Sequence, residues 1–218
     1  ADHTIEAKAR DYGFNLSQLS YIEIHGFHLF GCNITTDDEA GGDGKGYNDD
    51  GTVKYPWRGA GSVAESHHVT IDGIHCIYPS HSTDVSGHFF FQYGSHSGIV
   101  LSGEDHVLQN SIIRYSFANG ISLLGNRHLI HNNIIEDVNY AAAGYGALGS
   151  SAAKAYDCEV SYNTIRRTGR SGIRLGIRNS DPAKVMARLH HNEISDYMLQ
   201  DRDGGGIYMG GDGGFLRI

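Results

Sequence analysis

Two short strand-like motifs alternate along this chain in a fixed order, and that alternation limits the architecture more than any other feature. Four segments align on an Asn-x-Ile core: Val107-Leu-Gln-Asn110-Ser-Ile112, Leu129-Ile-His-Asn132-Asn-Ile134, Val160-Ser-Tyr-Asn163-Thr-Ile165 and Leu189-His-His-Asn192-Glu-Ile194. Two earlier stretches, Ile22-Glu-Ile-His25-Gly-Phe27 and Val69-Thr-Ile-Asp72-Gly-Ile74, fit loosely, with His25 and Asp72 in the Asn slot. Interleaved with them run Gly98-Ile-Val-Leu, Gly120-Ile-Ser-Leu, Gly146-Ala-Leu-Gly, Gly172-Ile-Arg-Leu and Gly206-Ile-Tyr-Met. The Asn positions step by 22, 31 and 29 residues and the Gly positions by 22, 26, 26 and 34. Short alternating strands repeated at such intervals predict a solenoid whose coils carry insertions on one face. The expected fold class is all-β, a right-handed parallel β-helix in which like residues of successive coils stack ~4.8 Å apart. Asn110, Asn132, Asn163 and Asn192 are then expected in one hydrogen-bonded column, and Ile112, Ile134, Ile165 and Ile194 in one core column. The glycines suit turns that need positive φ.

A leucine-rich repeat also carries an Asn-x-Leu signature, but its coils keep a near-constant period and need a helical return. Here the returns are Ser-, Gly- and Tyr-rich and vary in length, which favours the β-helix. Glycine numbers 30 of 218 residues, about twice the usual ~7%, and it lacks a G-X-Y period. The whole chain, 1–218, reads as one domain, with 97–218 holding the clearest coils and 52–96 irregular. No run of 18 apolar residues exists, so no membrane insertion is expected. The first residues, Ala-Asp-His-Thr, carry neither an initiator Met nor a signal segment, and the last break off in mid-pattern. The chain therefore reads as a piece of a longer protein.

Cys32, Cys76 and Cys158 are odd in number and widely spaced, which suits small buried hydrophobes better than disulfides or zinc. The net charge of −8 argues against nucleic acid as a partner. It is uneven: the window Arg166–Arg188 holds six Arg and one Lys against Asp181, a net +6, leaving −14 on the rest. The stretch from Thr35 to Gly51 carries six acids and one Lys. Its Asp37–Asp50 part could hold Ca²⁺ through carboxylate oxygens, but it lacks the DxDxDG pattern, so a solvated loop is favoured. Six histidines lie between His67 and His96 without HExxH-type spacing; no metal site is assigned.

The runs Asn132-Asn-Ile-Ile-Glu-Asp137, Asn163-Thr-Ile-Arg-Arg-Thr-Gly-Arg-Ser-Gly-Ile173 and Asp203-Gly-Gly-Gly-Ile-Tyr208 resemble bacterial right-handed β-helix proteins of the pectate-lyase-like superfamily. The likeness is closest to its large carbohydrate-active members, such as β-helix glycoside hydrolases. It covers 97–218 well and 1–96 loosely. The resemblance implies a polysaccharide- or oligosaccharide-related role and a secreted or periplasmic location. It does not fix the chemistry, because members hydrolyse glycosides, eliminate across uronates, epimerise or only adhere.

Stacked coils place outward residues ~5 Å apart, or ~10 Å two coils away, and glycosidases need paired carboxyls ~5–5.5 Å apart for retention or ~6.5–9.5 Å for inversion. Two clusters are candidates. Four residues after each Asn stand Arg114, Glu136, Arg167 and Asp196, a column of alternating sign whose plainer role is a structural charge ladder. Read functionally, Glu136 with Asp137 supplies a carboxyl and Arg167 a sugar contact. The second cluster sets Asp201 and Asp203 near Arg170, Arg174 and Tyr208, with Arg174 and Tyr208 in one outward slot of successive coils. The favoured reading is hydrolysis by a carboxyl pair drawn from Glu136, Asp137, Asp201 and Asp203. Arg167, Arg170, Arg174, Tyr145 and Tyr208 would bind the substrate, with no cofactor required. A lyase acting on uronates, suited to the arginine band, and a non-catalytic carbohydrate-binding or adhesin solenoid are the alternatives.

Overall fold

The computed structural model describes residues 12–37, 66–79, 98–141, 146–150, 155–176, 185–210 and 215–217. These form strands and no helix, three strands to a coil. The first coil holds β1 (Tyr12–Asn15), β2 (Glu23–His25) and β3 (His28–Phe30), and the second β4 (Asn33–Thr35), β5 (Thr70–Asp72) and β6 (His75–Ile77). The third holds β7 (Ile99–Glu104), β8 (Val107–Gln109) and β9 (Ile112–Arg114), and the fourth β10 (Ile121–Asn126), β11 (Leu129–His131) and β12 (Ile134–Val138). Then come β13 (Gly146–Ser150), the two-residue β14 (Ala155–Tyr156), β15 (Cys158–Ser161) and β16 (Thr164–Thr168). The last are β17 (Ser171–Gly176), β18 (Val185–His190), β19 (Glu193–Ser195), β20 (Ile207–Gly210) and β21 (Phe215–Arg217).

Every pairing is parallel, and three sheets result: β1-β4-β7-β10-β13-β17-β20 (sheet A, with β14 also on β10), β2-β5-β8-β11-β15-β18-β21 (sheet B) and β3-β6-β9-β12-β16-β19 (sheet C). This is a right-handed parallel β-helix, and its coils of three strands, with no helix among the described residues, distinguish it from a leucine-rich repeat. Among the described residues the coils run from Tyr12 onward, and β5 and β6 fall inside 52–96. Insertions sit on two corners, not one. The sheet A to sheet B and sheet C to sheet A connections vary in length, whereas the sheet B to sheet C corner is always two residues.

That corner corrects the register of the Asn motif. Ile74 N–H donates to Ser111 Oγ (3.1 Å), and the N–H groups of Ser111, Asn133 and Asn163 donate to Oδ1 of Asn133, Asn163 and Asn192, each at 3.0 Å. The amide nitrogens return to carbonyls of the neighbouring coil, Asn133 to Leu108, Asn163 to Ile130 and Asn192 to Val160. The buried ladder is therefore Ser111-Asn133-Asn163-Asn192. Asn110 and Asn132 stand one residue earlier, exposed, in a column that continues through Tyr162 and His191. There Asn132 donates to Asn110 (2.8 Å) and Asn110 to Asp72 (2.7 Å). Its members take positive φ, 53° at both Asn110 and Asn132, as Gly73 does at 64°. Asparagine tolerates that conformation nearly as well as glycine, so two adjacent slots both accept Asn and the Asn132-Asn133 doublet was aligned on the wrong one.

A one-residue slip flips every side chain of a strand. The sheet C core column is accordingly Leu29-Cys76-Ile113-Ile135-Ile165-Ile194. Ile113, Ile135 and Ile165 are fully buried, while Ile112 and Ile134 point outward, half-buried. Sheets A and B contribute Ile34-Ile99-Ile121-Leu148-Ile173 and Ile24-Ile71-Leu108-Ile130-Val160-Leu189 to the same core. Cys76 and Cys158 are buried within it as small core side chains.

The motif glycines have a different reason from the one expected. Left-handed φ is not their role; close backbone approach is. A Cβ on Gly98 would lie 2.5 Å from the Gly120 carbonyl oxygen, and one on Gly172 2.6 Å from that of Gly206. In the fifth coil the slot belongs to Ala147, not Gly146, since Leu148 pairs with Ile121. Left-handed residues instead mark the corners, and each corner stacks an aromatic pair on itself: Tyr21 with His68 (5.0 Å), Tyr78 with Tyr115 (4.9 Å) and Tyr162 with His191 (4.7 Å). Bulky residues at positive φ are costly, and ring stacking across the coil spacing offsets part of that cost.

Ile135→Ala should destabilise by about 2–5 kcal/mol through a core cavity, and Ile134→Ala by clearly less. Asn163→Ala should likewise cost more than Asn132→Ala, by roughly 1–3 kcal/mol, because it strands buried backbone groups. Urea unfolding of the four variants checks both orderings.

Candidate functional site

Both predicted clusters lie where sheet C turns into sheet A, and the structure treats them differently. Glu136 pairs in register with Arg114 on one side and Arg166 on the other, not with Arg167 as the repeat alignment suggested. Its side chain is only 2% exposed although it points away from the core. Three guanidinium groups close over it: Arg114, Arg166 (2.5 Å) and Arg167 (2.8 Å). Burial alone would raise its carboxyl, but hydrogen bonds from Arg166 and Arg167 and the charge of Arg114 hold it below the usual glutamate range. Asp137 makes a two-pronged pair with Arg167, 2.7 Å on each prong. Such forks are rigid and selective. The arrangement is that of a charge ladder, and three arginines over the Glu136 carboxylate favour its charged form over a protonated one.

The second cluster is built around Arg170, whose side chain is 8% exposed in the two-residue connection between β16 and β17. Its Nε reaches Asp201 Oδ2 (2.9 Å) and the Asp203 carbonyl (2.8 Å), and its Nη2 pairs with Asp203 Oδ2. Asp201 also accepts the N–H groups of Arg202 (2.6 Å) and Asp203 (3.1 Å), the local turn that Asp before glycine readily forms. One guanidinium thus sets two carboxylates side by side. Asp203 remains 61% exposed, and its other oxygen accepts a hydrogen bond from the Tyr208 hydroxyl (3.0 Å). That bond, with those of Arg170, holds Asp203 below the ordinary aspartate range. Arg174 and Tyr208 do pair in register on adjacent coils, the guanidinium 5.3 Å from the ring centre, within cation–π range.

The pairing also accounts for three of the six arginines in the band. Arg166 and Arg167 are matched by Glu136 and Asp137, and Arg170 by Asp201 and Asp203, all acids outside the positive window. Tyr145 lies outside the described residues, as does the Asp37–Asp50 segment apart from Asp37, which accepts from Ser102 Oγ at 2.9 Å. Among the described residues no group of three or more His, Cys, Asp or Glu side chains could hold a metal ion.

A second side-chain ladder, missed in the sequence, joins the coils where sheet A turns into sheet B. His106 and His128 are buried and stack in parallel, 5.0 Å apart and 2° from coplanar orientation. Their separation of 22 residues equals the spacing of Ile99 from Ile121 in register, which is the signal that could have found them.

The family model described as the right handed beta helix region matches residues 72–217. The chain belongs to that family. No curated protein and no solved structure matches it in the corresponding comparisons.

Replacing Glu136 by Gln should destabilise by about 1–3 kcal/mol, below the roughly 3–5 kcal/mol of fully buried pairs because the arginines are part exposed. The native carboxyl is depressed, so its contribution is complete above the ordinary glutamate range and is lost as pH falls from that range through the lower native value. Thermal unfolding of E136Q and native protein should therefore converge towards acid pH.

Proposed function

We propose that this member of the right-handed β-helix family is a carbohydrate-active enzyme that cleaves glycosidic bonds in a poly- or oligosaccharide, with the Asp201–Asp203 pair at its centre. The observation that carries this reading is Asp203, an exposed carboxylate kept ionised and oriented by Arg170 and Tyr208. Glycosidases use one ionised carboxylate as nucleophile or base and a second carboxyl as acid. Asp203 fits the first role, and Asp201, on the same guanidinium, is the second carboxyl. Arg174 and Tyr208 flank Asp203 and offer a flat ring and a guanidinium for sugar hydroxyls. Glu136 and Asp137 leave the catalytic set and Arg167 the sugar-binding set, because each is committed to the charge ladder.

That commitment favours one rival, a non-catalytic carbohydrate-binding solenoid, since half of the predicted carboxyls are structural. The lyase reading loses part of its support, because three of the arginines that suited an anionic chain, Arg166, Arg167 and Arg170, already face acids of their own.

Incubation with a panel of plant, algal and bacterial glycans separates the three. Hydrolysis yields new reducing ends, a lyase yields an ultraviolet-absorbing unsaturated product, and a binding module retards in glycan-containing gels without forming product. If hydrolysis occurs, Asp203→Asn should lower turnover by about 10²-fold or more, and Glu136→Gln should retain it. Full activity in D203N removes the proposed site.

A further inference from the structure

The buried histidine stack does the work of the asparagine ladder at another corner, with a group that can be protonated. Val69 N–H donates to His106 Nδ1 (3.2 Å), and His106 N–H donates to His128 Nδ1 (3.2 Å). Each Nε2 lies 2.8 Å from a carbonyl four residues back, Ser102 for His106 and Leu124 for His128. A carbonyl only accepts, so each Nε2 carries the proton and each Nδ1 offers its lone pair. The network therefore fixes one neutral tautomer, and both ring edges are used. The next coil places Cys158 in the same slot, its thiol receiving the His128 backbone N–H.

We propose that the His106–His128 stack is an acid-sensitive clasp: as neutral rings the two imidazoles tie adjacent coils together, and protonation of either one opens that corner locally. A proton on Nδ1 turns the acceptor into a donor facing a backbone N–H, and it places a charge inside the fold. The surrounding charged and titratable groups are Glu104, Asp105 and Arg127, which pair with one another on the outside of the corner, together with His67, His68, Asp157 and Cys158. Burial outweighs the carbonyl hydrogen bonds and Asp105, which favour the imidazolium of both rings; His106 further opposes a charge on His128, and His67 and His68 oppose one on His106. His106 is pushed down to about 4 and His128 to about 3 from 6.5. The sign follows directly. The opened corner takes up protons near 6.5 and the closed one far lower, so closure is complete above 6.5 and weakens steadily as pH falls towards 4. Asn133, Asn163 and Asn192 hold the equivalent bonds at the other corner and cannot titrate, so the effect is confined to this edge.

Hydrogen exchange on the intact chain reads the clasp independently of any reaction. After correction for intrinsic rates, protection of the Val69 and His106 amides should fall between pH 7 and pH 4, by up to about tenfold per pH unit for each histidine. Protection of the Ser111 and Asn133 amides should hold. The double variant H106N/H128N, which supplies a non-titrating acceptor, should abolish that difference. Should the variant not fold, imidazole titration followed by NMR on native protein decides the matter. Rings that titrate near 6.5, or equal pH dependence at both corners, overturn the proposal.

Discussion

Each coil of this solenoid turns from sheet B into sheet C in two residues, and the fold rests on how the backbone N–H groups of that turn are satisfied. The strands pair with the coils above and below, but a sharp bend cannot continue a strand ladder. Unpaired amide groups there would be buried at a cost of about 1–3 kcal/mol each. In the third to sixth coils one side chain, Ser111, Asn133, Asn163 or Asn192, removes the problem by accepting an N–H from the coil before. The three asparagines also donate to a carbonyl across the stack. Once that corner is fixed, inward Ile, Val and Leu fall into columns and the remaining two corners are free to vary in length. At the opposite end of sheet B the histidines repeat the same solution with a different chemistry.

The architecture was legible in the sequence because repetition survives small errors of alignment. Alternating apolar residues and two motifs in fixed order specify parallel coils whichever Asn is chosen as the anchor. Register was less legible. Asn132 and Asn133 sit in adjacent slots that accept the same residue for different reasons, one for its tolerance of left-handed backbone, the other for its two-sided amide. Tyr162 and His191 in the first of those slots carry no sequence hint of their conformation, so an alignment on Asn sets the fifth and sixth coils one residue out of step with the third and fourth. The glycine motif was found, but its cause was not, since close approach to a neighbouring carbonyl leaves no mark in a single sequence.

The candidate site shows the same division. The place of Asp203, Arg170, Arg174 and Tyr208 beside the glycine run groups them, and the structure joins Asp203, Arg170 and Tyr208 through hydrogen bonds and Arg174 through its approach to the Tyr208 ring. Glu136 and Asp137 carried the same formal signal, a carboxyl on an outward face beside arginines. What separates the two clusters is exposure and the number of partners: Glu136 answers three guanidinium groups and is covered by them, while Asp203 shares one and remains open to solvent. Neither property can be read from spacing.

Stacking like on like in columns has a mechanical consequence. Each coil touches only the coil before and the coil after it, so stability accumulates as a line of nearest-neighbour couplings and not as a network. Such a line comes apart as a moving front, starting at a terminus or at the weakest joint. Its joints here are chemically unequal: some are amide-bonded and indifferent to acid, one is closed by imidazoles. Where a front would start is therefore set by the identity of single side chains at one corner, and exchanging an imidazole for an amide would relocate that weak joint without altering the shape of any coil.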